Sequence, residues 1–373
     1  MILKNVFKIS KGKKAVESND NNLQRYIQIG DLRSDDKIKY AEHDDKNIIC
    51  NENDVLIAWD GANAGTIGYN LKGVIGSTLA KLSPKVDNIY SPYTGRFLQS
   101  QFRYLRETCT GATIPHISRP TLESLKIPLP PLDQQKKIAA ILDSADAYRQ
   151  KTKALIEKYD ELTQSLFLNM FGDPVRNPKG WKEKPMGELA DLKMGGTPST
   201  KHPEYYENGT VNWMKSGDIK GDFITNFPNK ITQLGLENSN TKLYNENTVV
   251  IALNGQGKTR GTTGLITEST CSNQSVANID PGNNMNSAFL HFQLKSRYKH
   301  LRNLTGDNDR SGLNLTILRN YKIFNPKMEF QNQFAERVQA IEAQKTQAQA
   351  SLAQAEDLFN SLLQRAFKGE LTN

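Results

Sequence analysis

The chain has only three cysteines in 373 residues, Cys50, Cys109 and Cys271, set far apart and without metal-ligand spacing. Neither a disulfide framework nor a zinc site is expected from them. No stretch approaches the run of about 18 apolar residues that a membrane span needs, so no membrane association is expected. Met1 to Ser10 lacks the charged leader, apolar core and small-residue cleavage site of a secreted protein, which makes the cytoplasm the expected compartment. Catalytic signatures are missing as well. There is no Asn-Pro-Pro-aromatic or Asp-Pro-Pro-Tyr tetrapeptide of an amino-methyltransferase, and no Gly-rich cofactor loop after an opening strand. The five histidines, His43, His116, His202, His291 and His300, form no ligand pair at helical spacing and adjoin no nucleophile motif. The segment Ala252–Thr259, ALNGQGKT, ends like a phosphate-binding loop, but Ala252 stands where that loop requires its first Gly. No catalytic residue, metal or cofactor is therefore expected in this chain.

What is present is positive charge and a duplication. The net charge of +8 and a pI near 9.1 favour a polyanionic partner, because clustered Lys and Arg displace the counterions condensed on phosphates. At a separation of 196 residues, Lys126-Ile127 and Pro130 return as Lys322-Ile323 and Pro326, and Asp133, Gln135 and Ala139 as Glu329, Gln331 and Ala335. The same offset carries Leu162, Ser165, Leu166 and Phe171 onto Leu358, Ser361, Leu362 and Phe367. A separation this long implies two related domains rather than a solenoid. Upstream the likeness needs gaps: Gly30-Asp31 resembles Gly217-Asp218, and NDVLIAWDG from Asn53 resembles NTVVIALNG from Asn247. Each half opens with Gly, Asn, Thr and short β-branched runs, which predict strands and loops. The KIPLPPL segment from Lys126 to Leu132 must be extended, since prolines remove donors and block helix.

After those prolines no Gly or Pro interrupts the chain from Asp133 to about Phe171, with Asp133 as the expected N-cap. The apolar positions Ile138, Ile141, Ala145, Tyr148, Leu155, Tyr159, Leu162 and Leu166, with Thr152 admitted, alternate three and four apart and predict a heptad seam. A second helix is expected from about Glu329 to Lys368, its seam running through Val338, Ile341, Ala348, Leu352, Ala355, Phe359 and Leu362 and interrupted by Lys345. At about 1.5 Å per residue each is a rod of roughly 55 Å. The expected arrangement pairs the two antiparallel within one chain.

The segments IPHISRPTLESLKIPLPPLDQQKKIAAIL from Ile114, MFGDPVRNPKGW from Met170 and GGTPSTKHPEYYENGTVNWMKSGDI from Gly195 make the chain resemble the specificity subunit of type I restriction-modification systems over nearly its whole length. That resemblance implies an α+β fold with two tandem target recognition domains, mixed α/β but strand-rich, each followed by a long helix. The helices would form an antiparallel coiled-coil spacer with pseudo-two-fold symmetry. The implied ranges are 1–130 and 172–327 for the recognition domains and 131–171 and 328–373 for the helices. It further implies a double-stranded DNA partner with a bipartite sequence, two adenine-N6 methyltransferase subunits, and restriction/translocase subunits. S-adenosylmethionine, ATP and Mg would belong to those partners.

DNA contacts are expected among basic residues of the predicted loops: Lys11, Lys13, Lys14, Arg25 and Arg33 in the first domain, and Lys201, Lys215, Lys258, Arg260 and Arg310 in the second. Lys and Arg suit phosphates or guanine edges. Arg119 and Arg319, before the closing segment of each half, are expected to hold that region together. Two other readings of the residues stay open at this point: a bifunctional restriction enzyme fragment or nucleotide-dependent enzyme, marked by cofactor binding, and a coiled-coil scaffold, marked by the absence of salt-dependent, sequence-selective DNA binding.

Overall fold

The computed structural model describes residues 1–111, 113–255, 257–305 and 312–371. The chain forms two compact units, one of residues 1–154 with 349–373 and the other of residues 155–348. Each unit holds one strand-rich domain and part of each long helix, observed at Leu132–Phe171 and Met328–Lys368.

The duplication read from the sequence is present in the strand order. In the first unit the main sheet runs Phe7–Lys11, Leu79–Pro84, Val55–Ala58, Ile67–Tyr69, all antiparallel. In the second it runs Asp191–Met194, Val276–Asp280, Val249–Ala252, Thr263–Ile266 in the same sense, with Phe223–Ile224 added parallel at the edge. The two central strands, Val55–Ala58 and Val249–Ala252, are buried at every residue, which explains their unbroken apolar sequence. A smaller sheet in each unit is built on a parallel pair, Gln24–Ile27 with Gly73–Ile75 and Val211–Met214 with Cys271–Ser272. Cys50 and Cys271 lie in these sheets as buried thiols, and burial pushes each up to about 11.

The first long helix starts one residue before the expected cap. Pro131 offers its carbonyl to the Gln134 and Gln135 N–H groups at 2.9 and 3.1 Å, and Asp133 lies in the first turn, where a carboxylate favours the helix dipole. The buried amide of Gln135 then ties the domain to the helix: its oxygen accepts from Tyr90 N at 3.0 Å, and its nitrogen donates to the carbonyls of Asn88 and Pro130 at 2.9 Å each. Gln331 does the same in the second unit, accepting from Asn286 N at 2.9 Å and donating to the Pro326 carbonyl at 2.7 Å.

Within each unit the helix segments run antiparallel. In the first, Arg149 stacks on Phe359 at 4.4 Å and Lys153 meets Glu356 at 3.2 Å. In the second, Lys345 bonds Asp160 at 2.5 Å, and Phe167 and Phe171 sit edge-on to Phe334. The seam of the second helix is the predicted one, with Val338, Ala348, Ala355 and Phe359 buried and Ile341, Leu352 and Leu362 half-buried.

The seam of the first helix differs from the prediction in every other position. Ile138, Tyr159 and Leu166 belong to it, but Ile141, Tyr148, Leu155 and Leu162 are 38, 55, 43 and 50% exposed. The seam instead takes Leu142, Arg149, Ile156 and Thr163, one residue further along. The physical reason is Arg149: its guanidinium lies over the Phe359 ring and bonds Asp146 at 2.6 Å, so a basic residue fills a seam position that apolar counting skips. Lys345 holds the equivalent place in the second helix, 196 residues on.

Candidate nucleic-acid interface

The same three segments meet in both units beyond the first strand of the main sheet. In the first unit, Gly12 N bonds the Leu79 carbonyl at 2.8 Å and Gly76 N bonds the Ile27 carbonyl at 2.9 Å. In the second, Gly195 N bonds the Val276 carbonyl at 3.1 Å and Asn273 N bonds the Met214 carbonyl at 2.9 Å. Gly is required where the strand crosses the turn. A Cβ at Gly12 would lie 2.2 Å from the Gly76 oxygen, and one at Gly195 would lie 2.1 Å from the Ser272 oxygen. The third segment is also duplicated: Asp31 accepts from Gln28 N, and Asp218 from Lys215 N, each at 2.8 Å.

In the first unit these segments line a cleft of about 880 Å³ that includes Lys14, Gln28, Ser77 and Thr78. One amide N–H of Gln28 reaches Glu17 at 3.2 Å, and Glu17 is neutralised by Lys39 at 2.8 Å. On the adjacent turn, Asp60 bonds Lys11 at 2.8 Å and His116 Nδ1 at 2.6 Å. Burial alone would raise the Asp60 carboxyl, but those two partners outweigh it and hold it below its usual value. The His116 that the sequence left without a role is thus a partner of Asp60.

The expected DNA-contacting residues fall into distinct settings. Lys13, Lys14, Lys201, Lys215 and Lys258 are exposed. Lys215 lies over the Trp213 ring at 5.4 Å, and the Trp213 N–H bonds the Gly196 carbonyl at 3.0 Å, which fixes the platform under the ammonium. Arg33 is exposed and bonds Asn63 and Thr66 at 2.9 and 3.1 Å. Arg25 is committed within the protein, to Asp31 at 2.7 Å and Asp35 at 2.5 Å. Arg260 has its side chain buried, in the turn that joins the strands Val249–Ala252 and Thr263–Ile266. Arg310 lies outside the described residues. Arg319 does brace its region, bonding the Leu192 carbonyl at 2.9 Å, whereas Arg119 pairs with Glu123 on a helix surface. The loop after Ala252 leads through turns into the strand Thr263–Ile266, not into the helix a phosphate-binding loop needs.

A buried charge cluster of the second unit lies apart from this cradle. Asp222 accepts from His291 Nε2 at 2.8 Å and from Lys295 at 2.6 Å. Burial alone would raise the Asp222 carboxyl, but these two partners hold it well below the usual range, while burial lowers His291 below its usual value. Asp160 and Glu342 bring carboxylate oxygens within 4.8 Å of Asp222, and Lys345 meets Asp160 at 2.5 Å and Glu342 at 3.7 Å, so the acids are answered by lysines. Among the described residues no helix is long and apolar enough to cross a membrane.

Two units that repeat one backbone cradle, with polar side chains at its rim, define a duplicated recognition protein. Comparison with known proteins agrees. The model of the type I restriction modification DNA specificity domain matches residues 1–159 and 178–356. The type I restriction enzyme MjaVIII specificity subunit of Methanocaldococcus jannaschii is 30% identical over 368 residues, covering 90% of this chain and 84% of the relative. The EcoBI specificity subunit of Escherichia coli is 23% identical over 355 residues, covering 86% and 74%. The crystal structure of the S subunit from M. genitalium shares the fold, with a TM-score of 0.63 at 17% identity over 98% of this chain and 95% of that one. The chain belongs to the type I restriction-modification specificity family; it is a specificity subunit, a non-catalytic DNA-recognition component.

Gln28, Ser77 and Thr78 line the cleft and are not among the candidates that the sequence offers. They are ordinary turn residues in sequence, and only the parallel pairing of Gln24–Ile27 with Gly73–Ile75 brings them to one cleft.

Proposed function

We propose that each strand-rich domain reads one half of a bipartite DNA sequence, and that the two long helices set the unread spacer between the halves. The observation that carries this reading is the duplicated cradle, the same backbone hydrogen bonds presenting different side chains in the two units. Two short half-sites held at a fixed separation make one specific site, because linkage converts the second contact into an intramolecular event.

Two methyltransferase subunits would dock on the helices and methylate adenine N6, using S-adenosylmethionine bound in those partners. Restriction/translocase subunits would supply ATP- and Mg-dependent cleavage. A methyltransferase that works on an extruded base needs little sequence reading of its own if another chain positions it. The exposed apolar residues Ile141 and Tyr148 of the first unit, and Leu155 and Leu162 of the second, are the docking surface we assign to those subunits, since they recur at seven-residue spacing and are left out of the seam.

Sequencing of modified bases in cells expressing the chain with its cognate methyltransferase tests the reading. N6-methyladenine in a bipartite motif, lost when this chain is withheld, is the expected result. Persistence of the same motif without the chain would overturn it.

A further inference from the structure

We infer that Gln28, Ser77 and Thr78, with Lys14, select bases in one half-site, and that Lys215, Gln274, Ser275 and Thr197 do so in the other. This rests on the bipartite reading above and assigns its side chains.

The argument starts from equivalence of position. The backbone bonds of the cradle place Gly12 with Gly195, and hence Lys14 with Thr197 two residues on. The carboxylate-capped turn places Gln28 with Lys215. The parallel strand pairs place Ile75 with Ser272, and hence Ser77 with Gln274 and Thr78 with Ser275. The Leu79 and Val276 N–H groups close these turns in the same way, at 3.0 Å to Gly76 and 3.1 Å to Asn273. The backbone is therefore held in common, and at two places only Gly fits.

The side chains carried by this common backbone are not common. Lys faces Thr, Gln faces Lys, and Ser faces Gln, so the pattern of donors and acceptors changes at three of four positions. All are polar. Ser77, Thr78, Thr197, Lys215 and Gln274 are exposed, and Gln28 and Ser275 are half-buried. Structural side chains would be kept with the frame that needs them. Rim side chains that vary on an invariant frame are what two heads reading different half-sites require. Their chemistry also fits: an amide matches adenine in the major groove, a Lys matches guanine, and hydroxyls serve either. Thr197 bonds Gln274 across the second cradle, which orders that amide before DNA arrives. Glu17 restrains Gln28 in the same manner.

The test uses the purified complex of the full chain with its cognate methyltransferase, acting on duplex libraries randomised in one half-site at a time. Methylated molecules are then sequenced. Gln28→Ala and Ser77→Ala should relax one base position each in one half-site, with discrimination falling roughly 5- to 100-fold, while the other half-site stays stringent. Lys215→Ala and Gln274→Ala should relax the opposite half-site only. Gln28→Lys should shift preference at its position toward guanine. Unchanged stringency in all four Ala variants overturns the inference, as does a uniform loss of methylation with the motif intact, which is the signature of phosphate contact. If wild-type protein directs no bipartite motif, the underlying reading fails instead, and the two failures are thereby told apart.

Discussion

Replacing Arg96 by Met tests how the first domain is fastened to the helices. Arg96 is 6% exposed and donates to Asp143 at 2.8 Å and to Asp146 at 2.9 Å, while Tyr69 and Phe359 lie within cation–π range. Breaking a buried ion pair from one side costs about 3–5 kcal/mol. Two features reduce that figure here: the Asp143 side chain is 44% exposed and rehydrates, and Asp146 keeps Arg149 at 2.6 Å. We expect a loss of about 2–3 kcal/mol, which for a unit of this size lowers the melting temperature by roughly 5–10 °C. Calorimetry, with hydrogen exchange at residues 91–100 to assign the transition to the first unit, measures it. Adding Asp146→Asn should cost less in the variant than in the wild type, giving a coupling of about 1 kcal/mol or more.

The pH dependence supplies a second readout. Burial would raise the Asp146 carboxyl, but Arg96 and Arg149 outweigh it and hold it below the ordinary value. Its contribution is fully present above the unfolded value of about 3.9 and is lost as pH falls through the folded value. The gap between wild type and Arg96→Met should therefore narrow below about pH 4. A variant melting within about 1 °C of wild type, or strictly additive costs in the double variant, would refute the reasoning.

Other outcomes follow from the same geometry. Gln135→Leu and Gln331→Leu each strand a part-buried backbone donor and the acceptors the amide served, so each should cost about 1–3 kcal/mol by urea unfolding, in its own unit. Burial lowers His291 below its usual value, so the unfolded chain binds more protons there and stability should fall as pH drops below about 6.5, by at most about 1.4 kcal/mol per pH unit from that group. His291→Gln should flatten that slope between pH 5 and 7; an unchanged slope would sink the assignment. Ile141→Glu and Leu162→Glu should leave stability within about 0.5 kcal/mol yet weaken assembly with the methyltransferase, measured by co-purification. Inserting one heptad at equivalent points of both helices adds about 10 Å, so the methylated motif should gain about three unread base pairs with both half-sites unchanged.

Much of this architecture could be read before any coordinates. The prolines of the KIPLPPL segment, the 196-residue register and the apolar strands located the helices and the central strands. The phase of the first helix could not be read by counting apolar residues, because Arg149 is a seam residue through its contact with Phe359, a partner far away in sequence. Applying the 196-residue register from the second helix would have given the correct phase, since Lys345 had already marked a basic seam position. At the cradle, the settings of two cations were hidden for a related reason. Arg25 and Arg260 look like loop cations, but their surroundings are acidic or buried, and the polar turn residues that share the cleft are brought together only by strand pairing.

The division of the helices between the units bears on how the molecule is made. Residues 155–348 form one uninterrupted unit, whereas residues 1–154 need 349–373 to complete their core, through Phe359, Ala366 and the packing of Phe367 tilted against Tyr93 and edge-on to Phe97. During synthesis the second unit therefore has all its parts while the first still waits for its closing helix. The N-terminal domain is the last to be finished, and removing residues 349–373 should expose it, not the domain that precedes the cut, to proteolysis.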